Sequence, residues 1–527
     1  MYERLLYTNI NTDKLSGMKK IILTILLTFF YVFFATSVSA ATYYISTTGN
    51  DINSGTQTSP WRTIQKAANT LNSNDIAIVS AGTYDETVAV SRSGIVFQTN
   101  GVVTMKGFYI TGSNTTVTEF IVNDSPGYGV ELRGSNSTIK NSTIAKARNA
   151  CIFVAGQNNL IENNDCSYTI QPYTNGGDAD CFRYFGGGHT FRGNYCHDIP
   201  WDGVLVRDAH TDCFQTWNWT SIGGVGHDIL FEKNVCILPF RGGGFGAKIW
   251  QAEEGAYNLI MKNNIGVAGL IALIFDGTNI SFLNNTFIGY TSDSDGLHLQ
   301  STDITLKNNI FAHQQQRVIE NIGSSSTITA NNNCYMDYGI ILPADPGDVR
   351  GTDPLFVNEP LRNYHLQSGS PCVDKGSTIS SITDDKDGIS RPQGSEYDMG
   401  AHEFVSTSST PTSIPGCSCN SAGICTDNCI FDKFATPITY PNPMKCSLSS
   451  SLFTTDPSVD NTMSWCQRSL RSKGDSDGDG LINLKDYFYY VSANVGGKIP
   501  VTVNPDFDGS GAIEANDTTI IIKSLKQ

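Results

Sequence analysis

The chain has 527 residues, 39% of them hydrophobic, with 50 glycines and a formal net charge of −15. That acidic balance argues against nucleic acid held by bulk charge and against docking on an anionic membrane surface. The length allows three domains or one long solenoid with additions, and the repeat over 128–335 favours the second.

In chain order, Met18-Lys19-Lys20 precedes an apolar run at 21–35 and small residues ending Val38-Ser39-Ala40. A basic start, an apolar middle and a small-residue site predict a secretory signal over 1–40 and a mature chain with no membrane span, since the run is shorter than the ~20 residues a span needs. From 61 to 71, Trp61, Ile64, Ala67, Ala68 and Leu71 keep helical spacing between two strand-like pieces. This predicts a short helix covering the first turn of a repetitive body.

From about 128 to 335 one pattern recurs: GVELRGSNSTIKN, CIFVAGQNNLIENN, CFRYFGGGHTFRGN, IALIFDGTNISFLNN, GLHLQSTDITLKNN. The closing asparagines are Asn141, Asn164, Asn194, Asn234, Asn264, Asn285, Asn309 and Asn333. Their steps of 23, 30, 40, 30, 21, 24 and 24 residues mark stacked repeats. Segments rich in Val, Ile, Phe and Thr at period two, separated by Gly and Asn, are strands. Coils of about 22 residues stacked about 4.8 Å apart make a parallel β-solenoid, and one Asn per coil can form an amide ladder at a bend. These repeats resemble the right-handed parallel β-helix proteins related to pectate lyases, over residues 41–405 with both caps. The expected fold class is therefore all-β, with a small C-terminal α-helical domain added.

After Tyr335, LRNYHLQSGSPCVDKGS and DDKDGISRPQGSEYDMGAHEF resemble the closing segment of such β-helices and are read as a cap, with Asp384, Asp385, Asp387 and Asp398 as turn residues or, less simply, cation ligands. Residues 406–470 hold a Ser/Thr/Pro linker and six cysteines (Cys417, Cys419, Cys425, Cys429, Cys446, Cys466), read as a disulfide framework of open connectivity. Eight more lie in the solenoid, with Cys166, Cys196 and Cys236 in one column, and are expected as free core residues.

The segment 471–527 carries two calcium loops. Asp475, Asp477, Asp479, Asn483 and Asp486 stand at positions 1, 3, 5, 9 and 12 of the first, with Gly480 at the sharp turn. Asp506, Asp508, Ser510, Glu514 and Asp517 repeat the set 31 residues later. Apolar residues after each loop suffice for one helix apiece. The pair resembles a type I dockerin, which implies bound Ca²⁺ and docking to a cohesin-like or cell-surface partner. Where dockerins commonly carry a Ser/Thr recognition pair, this chain has Leu484-Lys485 and Ala515-Asn516.

Strand alternation gives the solenoid an outward column of Glu131, Phe153, Arg183, Gln215, Lys248, Ile274, His298 and Glu320. Two residues on it reads Phe185, Trp217 and Trp250. Four of the six tryptophans, Trp201, Trp217, Trp219 and Trp250, fall within 50 residues beside these cations and amides. Such a strip suits an acidic polysaccharide through stacking and charged hydrogen bonds. The family resemblance implies lyase chemistry on uronic acid polymers, with Lys248 as base, Arg183 neutralising charge and His210 as the competing base. Asp178, Asp202, Asp208 and Asp212 are candidates to hold Ca²⁺ against the substrate. Asp180 and Asp212, on adjacent coils about 5 Å apart, would suit a retaining hydrolase, but alternation is expected to turn both inward. A non-catalytic surface binder is the alternative from another class.

Overall fold

The computed structural model describes residues 40–405 apart from 172–177, 200–210, 239–246, 290–293, 315–316, 322–326, 337–343 and 360–361. The expected signal, the linker, the six distal cysteines and both calcium loops lie outside the described residues. Among the described residues no helix is long and apolar enough to cross a membrane.

Parallel strands stack coil upon coil into three sheets. The first, called here the site sheet, runs through Val130–Leu132, Ala150–Val154, Asp180–Tyr184, Asp212–Thr216 and Lys248–Ala252 into the first halves of Leu270–Leu283 and Asp295–Lys307. The second includes Thr138–Lys140, Leu160–Glu162, Thr190–Arg192, His227–Glu232 and Tyr257–Lys262. The third includes Thr143–Ala145, Asp165–Ser167, Tyr195–His197, Val235–Leu238, Ile265–Ala268 and Thr286–Gly289. Three-residue strands of the second sheet bury only their middle residue, so Ile139, Ile161, Phe191, Phe231 and Met261 form one interior column. Within it Phe191 stacks on Phe231 at 5.3 Å. Like side chains repeated at the coil spacing fill the core continuously.

The corner between the second and third sheets takes two residues, and the Asn-Asn doublets explain both. The first adopts the left-handed conformation, with φ between 51° and 62° at Asn163, Gly193, Lys233, Asn263, Asn284, Asn308 and Asn332, a region Gly and Asn enter most readily. The second forms the ladder. Asn164, Asn194, Asn234, Asn264, Asn285 and Asn309 each donate a backbone N–H to the Oδ1 of the next coil's Asn at 2.9–3.0 Å. Asn141 does not belong to it. With φ of 51° it holds the left-handed position, and Ser142 takes the rung, donating its N–H to Asn164 Oδ1 at 3.1 Å. At the next corner Ser137, Asn159 and His189 form a shorter ladder of the same kind.

The solenoid cysteines are bonded, contrary to the expectation of free core thiols. Cys151–Cys166, Cys181–Cys196 and Cys213–Cys236 each join a site-sheet strand to a third-sheet strand across the interior, and Cys334–Cys372 ties the closing segment to the solenoid. The column Cys166, Cys196, Cys236 is present as expected, but each member has a partner across its own coil.

At the N-terminal end the expected helix is Ile64–Thr70, with Thr63 Oγ1 accepting from the Lys66 N–H and Ile64, Ala67 and Ala68 buried. The closing segment does more than cap the last coil. Its strands Phe356–Asn358 and Asn363–Leu366 pair antiparallel, and Phe356, Tyr364, Leu366 and Met399 pack with Val235, Ile237, Ile265 and Ile288, so the segment runs back along the outer face of the third sheet. Arg391 locks it there, its buried guanidinium donating to Glu403 at 2.6 Å, to Gly400 O at 2.8 Å and to Asn263 Oδ1 at 3.2 Å.

Candidate functional site

Two columns of mainly polar side chains, each interrupted by one leucine, line one side of the site sheet. The first is Asp180, Asp212, Lys248, Leu270 and Asp295; three residues on, the second is Arg183, Gln215, Gln251, Leu273 and His298. The expected column was right at Glu131, Phe153, Arg183, Gln215, His298 and Glu320. It was wrong at two coils, because Gln251 rather than Lys248 stands opposite Gln215, and Leu273 rather than Ile274 follows.

The cause is a break in alternation. Cys181 with Phe182, Cys213 with Phe214, and Ile249 with Trp250 are sequence neighbours that all enter the main core. Two inward residues in succession place the residues on either side of them together outside. Asp180 therefore joins Arg183 instead of pointing inward, and Lys248 joins Asp212. Trp250 is the larger correction: it is wholly buried, at 6.0 Å in a stacked pair with Phe214, and is a core residue rather than a substrate platform.

The polar groups form a linked cluster. Arg183 Nε donates to Asp180 Oδ2 at 2.6 Å and its Nη2 lies 3.5 Å from Asp178. The Asp212 N–H donates to Asp180 Oδ1 at 3.0 Å, and Lys248 Nζ lies 3.4 Å from Asp212 Oδ1. Burial pushes the Asp180 carboxyl well above its usual range; Arg183 opposes this, while Asp178 and Asp212 add to it. Burial alone would lower Arg183, but Asp180, Tyr128 and Asp178 hold it above its ordinary value. Farther along, Asp295 and His298 repeat the Asp180–Arg183 spacing at 3.3 Å. Gln215 Oε1 and Gln251 Oε1 are buried and accept no hydrogen bond from the described residues, a costly state that a hydroxyl-rich ligand relieves.

Beside this cluster stands an aromatic wall. Phe153 and Phe185 form its buried base, with Tyr128, Trp217, Trp219 and Ile222 packed over them and partly open. Trp217 stacks on Trp219 at 5.8 Å, and the Arg183 guanidinium lies 5.6 Å from the Trp217 ring and 6.0 Å from that of Tyr128. Trp217, Arg183 and Gln215 thus stand together as expected. His210, Asp202, Asp208 and Trp201 lie outside the described residues. The sequence reading overlooked Gln251, Asp295 and Tyr128. Aligning DCFR, DCFQ, KIWQ and DGLH on their first and fourth letters would have found the first two.

Of the four candidate calcium ligands only Asp178 and Asp212 lie among the described residues. The carboxylates of Asp178 and Asp180 are turned on Arg183, and Asp212 faces Lys248. Among the described His, Cys, Asp and Glu residues, potential ligand atoms converge at His365, Asp387 and His402.

A family model described as right handed beta helix region matches residues 128–342, the stretch in which the three parallel sheets stack. The described residues fold as a right-handed parallel β-helix. A second model, described as a protein of unknown function (DUF1565), matches residues 47–93 at the N-terminal end of the β-helix. Among solved structures, the β-helix is similar to pectate lyase Pel9A at 18% identity, covering 70% of this chain and 97% of that one, with a TM-score of 0.49. It is also similar to a rhamnogalacturonan lyase at 16% identity, covering 63% and 96% with a TM-score of 0.40, and to XylC in complex with xylose at 10% identity, covering 69% and 98% with a TM-score of 0.43. No curated protein sequence matches the chain.

Proposed function

We propose that this β-helix engages an acidic polysaccharide along the site sheet and cleaves it by β-elimination. The observation that carries the reading is Arg183, a buried cation between the faces of Tyr128 and Trp217, in one column with Gln215 and Gln251 and directly beside Asp180, Asp212 and Lys248. Pyranose rings stack on the aromatic wall, and the two glutamine amides meet their hydroxyls. Arg183 neutralises a uronate carboxylate, which acidifies the C5–H. Lys248, beside Asp212, is the base that takes that proton. The C4–O bond breaks, a C4=C5 double bond forms, and the departing oxygen is protonated by water. Outside the described residues, His210 stays the alternative base.

A second reading rests on one observation. Asp180, whose carboxyl burial pushes well above its usual range, is joined through the Asp212 N–H to the next coil, and an acid so raised beside a carboxylate is the equipment of glycoside hydrolysis. Export through a signal at 1–40 is part of the proposal and is supported by four disulfides, which belong to oxidising compartments. So are the division into a β-helix at 41–405, a linker at 406–470 and a dockerin-like Ca²⁺ module at 471–527 that docks to a cohesin-like or surface partner.

The test mixes the full chain with a panel of uronic-acid polysaccharides and follows both the ultraviolet absorbance of unsaturated products and new reducing ends. Unsaturated product that disappears in Lys248→Gln supports the lyase. Reducing ends without unsaturation favour the hydrolase. Binding without either product makes the solenoid a non-catalytic surface binder.

A further inference from the structure

His365, Asp387 and His402 are separated by 22 and 15 residues in sequence, yet their ligand atoms all lie within 4.8 Å of one another. His365 comes from the strand Asn363–Leu366, Asp387 from a turn, and His402 from the end of the closing segment. Both imidazoles address one carboxylate oxygen: His365 Nε2 lies 2.7 Å and His402 Nδ1 3.2 Å from Asp387 Oδ2. The other oxygen faces Lys386 Nζ at 3.6 Å, so charge on that side is balanced while Oδ2 is left to the two rings.

The tautomer of His365 can be read from its neighbours. Asn363 Oδ1 accepts the His365 backbone N–H at 3.2 Å, which identifies that atom as the amide oxygen. The same oxygen lies 2.7 Å from His365 Nδ1, so Nδ1 carries a proton and donates it. In a neutral ring the lone pair is then on Nε2, aimed at the carboxylate. A second group gives an independent indication. His402 is only 4% exposed, and among the described residues its Nδ1 makes no hydrogen bond of acceptable geometry although it points at Asp387. The two rings stack with centroids 3.8 Å apart.

Two nitrogen lone pairs converging on a carboxylate, with one ring oriented by a hydrogen bond from its far nitrogen, is the arrangement of a metal centre. We propose that His365, Asp387 and His402 bind one divalent first-row transition-metal ion of the zinc(II) type. Imidazole and carboxylate select such an ion over calcium. Three protein ligands leave further positions open on the side where His365 and Asp387 meet solvent. The ion would pin the strand Asn363–Leu366 to the last residues of the closing segment.

The test titrates Co²⁺ into the full chain with its C-terminal loops saturated in Ca²⁺. A nitrogen and oxygen site gives d–d absorption without a thiolate charge-transfer band, which separates it from the distal cysteines. Asp387→Asn and His365→Gln, both at partly open positions, are expected to weaken this signal by at least about a hundredfold while far-ultraviolet circular dichroism stays unchanged. Zn²⁺ is expected to displace the cobalt. Absence of the band in the parent chain, or equal binding by folded variants, would falsify the site and leave a His365–Asp387 ion pair in its place.

Discussion

Asp212 lies one coil beyond Asp180 and donates its backbone N–H to the Asp180 Oδ1 at 3.0 Å, while Oδ2 of the same carboxylate receives Arg183. One buried side chain therefore fixes both the strand carrying Asp212 and the cation of the site. Asp180→Asn keeps an oxygen for the Asp212 N–H but removes the charge opposite Arg183. It is expected to lower stability by about 2–3 kcal/mol, and Asp180→Ala, which removes both, by about 3–5 kcal/mol. Urea midpoints at constant slope measure the two.

Two tryptophans of the same stretch should behave oppositely. Trp250 fills the core against Phe214, Phe282 and Phe287, so Trp250→Ala is expected to cost about 3–5 kcal/mol and to reduce the yield of folded protein. Trp217 stands partly open on Trp219. Trp217→Ala is expected to leave the thermal midpoint nearly unchanged and to weaken polysaccharide retention in affinity gels about tenfold, a loss of roughly 1.4 kcal/mol.

The disulfide Cys181–Cys196 closes a loop with a sequence separation of 15 residues. Replacing both cysteines by alanine is expected to lower stability by about 3 kcal/mol. Titration of the unfolded parent with a thiol reagent, before and after reduction, counts the bonded cysteines directly. Reactive thiols at Cys151, Cys166, Cys181 or Cys196 before reduction would contradict the pairing.

His197 supplies a pH signature. Burial alone would lower its value, but hydrogen bonds to Asp165 at 3.0 Å and Asp198 at 2.7 Å raise it from 6.5 to about 9. A group whose folded value is raised contributes stability that is complete below its unfolded value and is lost as pH rises through the folded one. Stability should therefore fall by about 2–3 kcal/mol between about pH 6.5 and 9. In His197→Gln that fall should vanish, as denaturation midpoints across the window would record.

The solenoid was legible in the sequence because its strongest signal, the Asn-Asn doublet, has two separate physical jobs at one corner. The single slip at Asn141 arose because Ser142 can accept the same hydrogen bond without looking like a rung. Register on the site sheet was less legible. A strict period of two cannot accommodate Ile249 and Trp250 both pointing inward, and that pair misplaced Lys248 and turned Trp250 outside. Cysteine pairing was hidden because a column of like residues looks the same whether its members are free or bonded across each coil. His365, Asp387 and His402 share no local pattern, and only the return of the closing segment along the third sheet assembles them.

The ladder corner also governs where this molecule tolerates change. Its rungs are spaced by 30, 40, 30, 21, 24 and 24 residues, yet the turn holding each rung is always two residues long. Among the described residues the added length of a long coil is taken up at the end of a site-sheet strand, as in the excursion around Thr220–Ile222 after Thr216. The scaffold works as a rack of fixed pitch with interchangeable loops on one side. Loops exchanged there would alter what the site sheet accepts while the rack, and the spacing of the columns it presents, stayed the same.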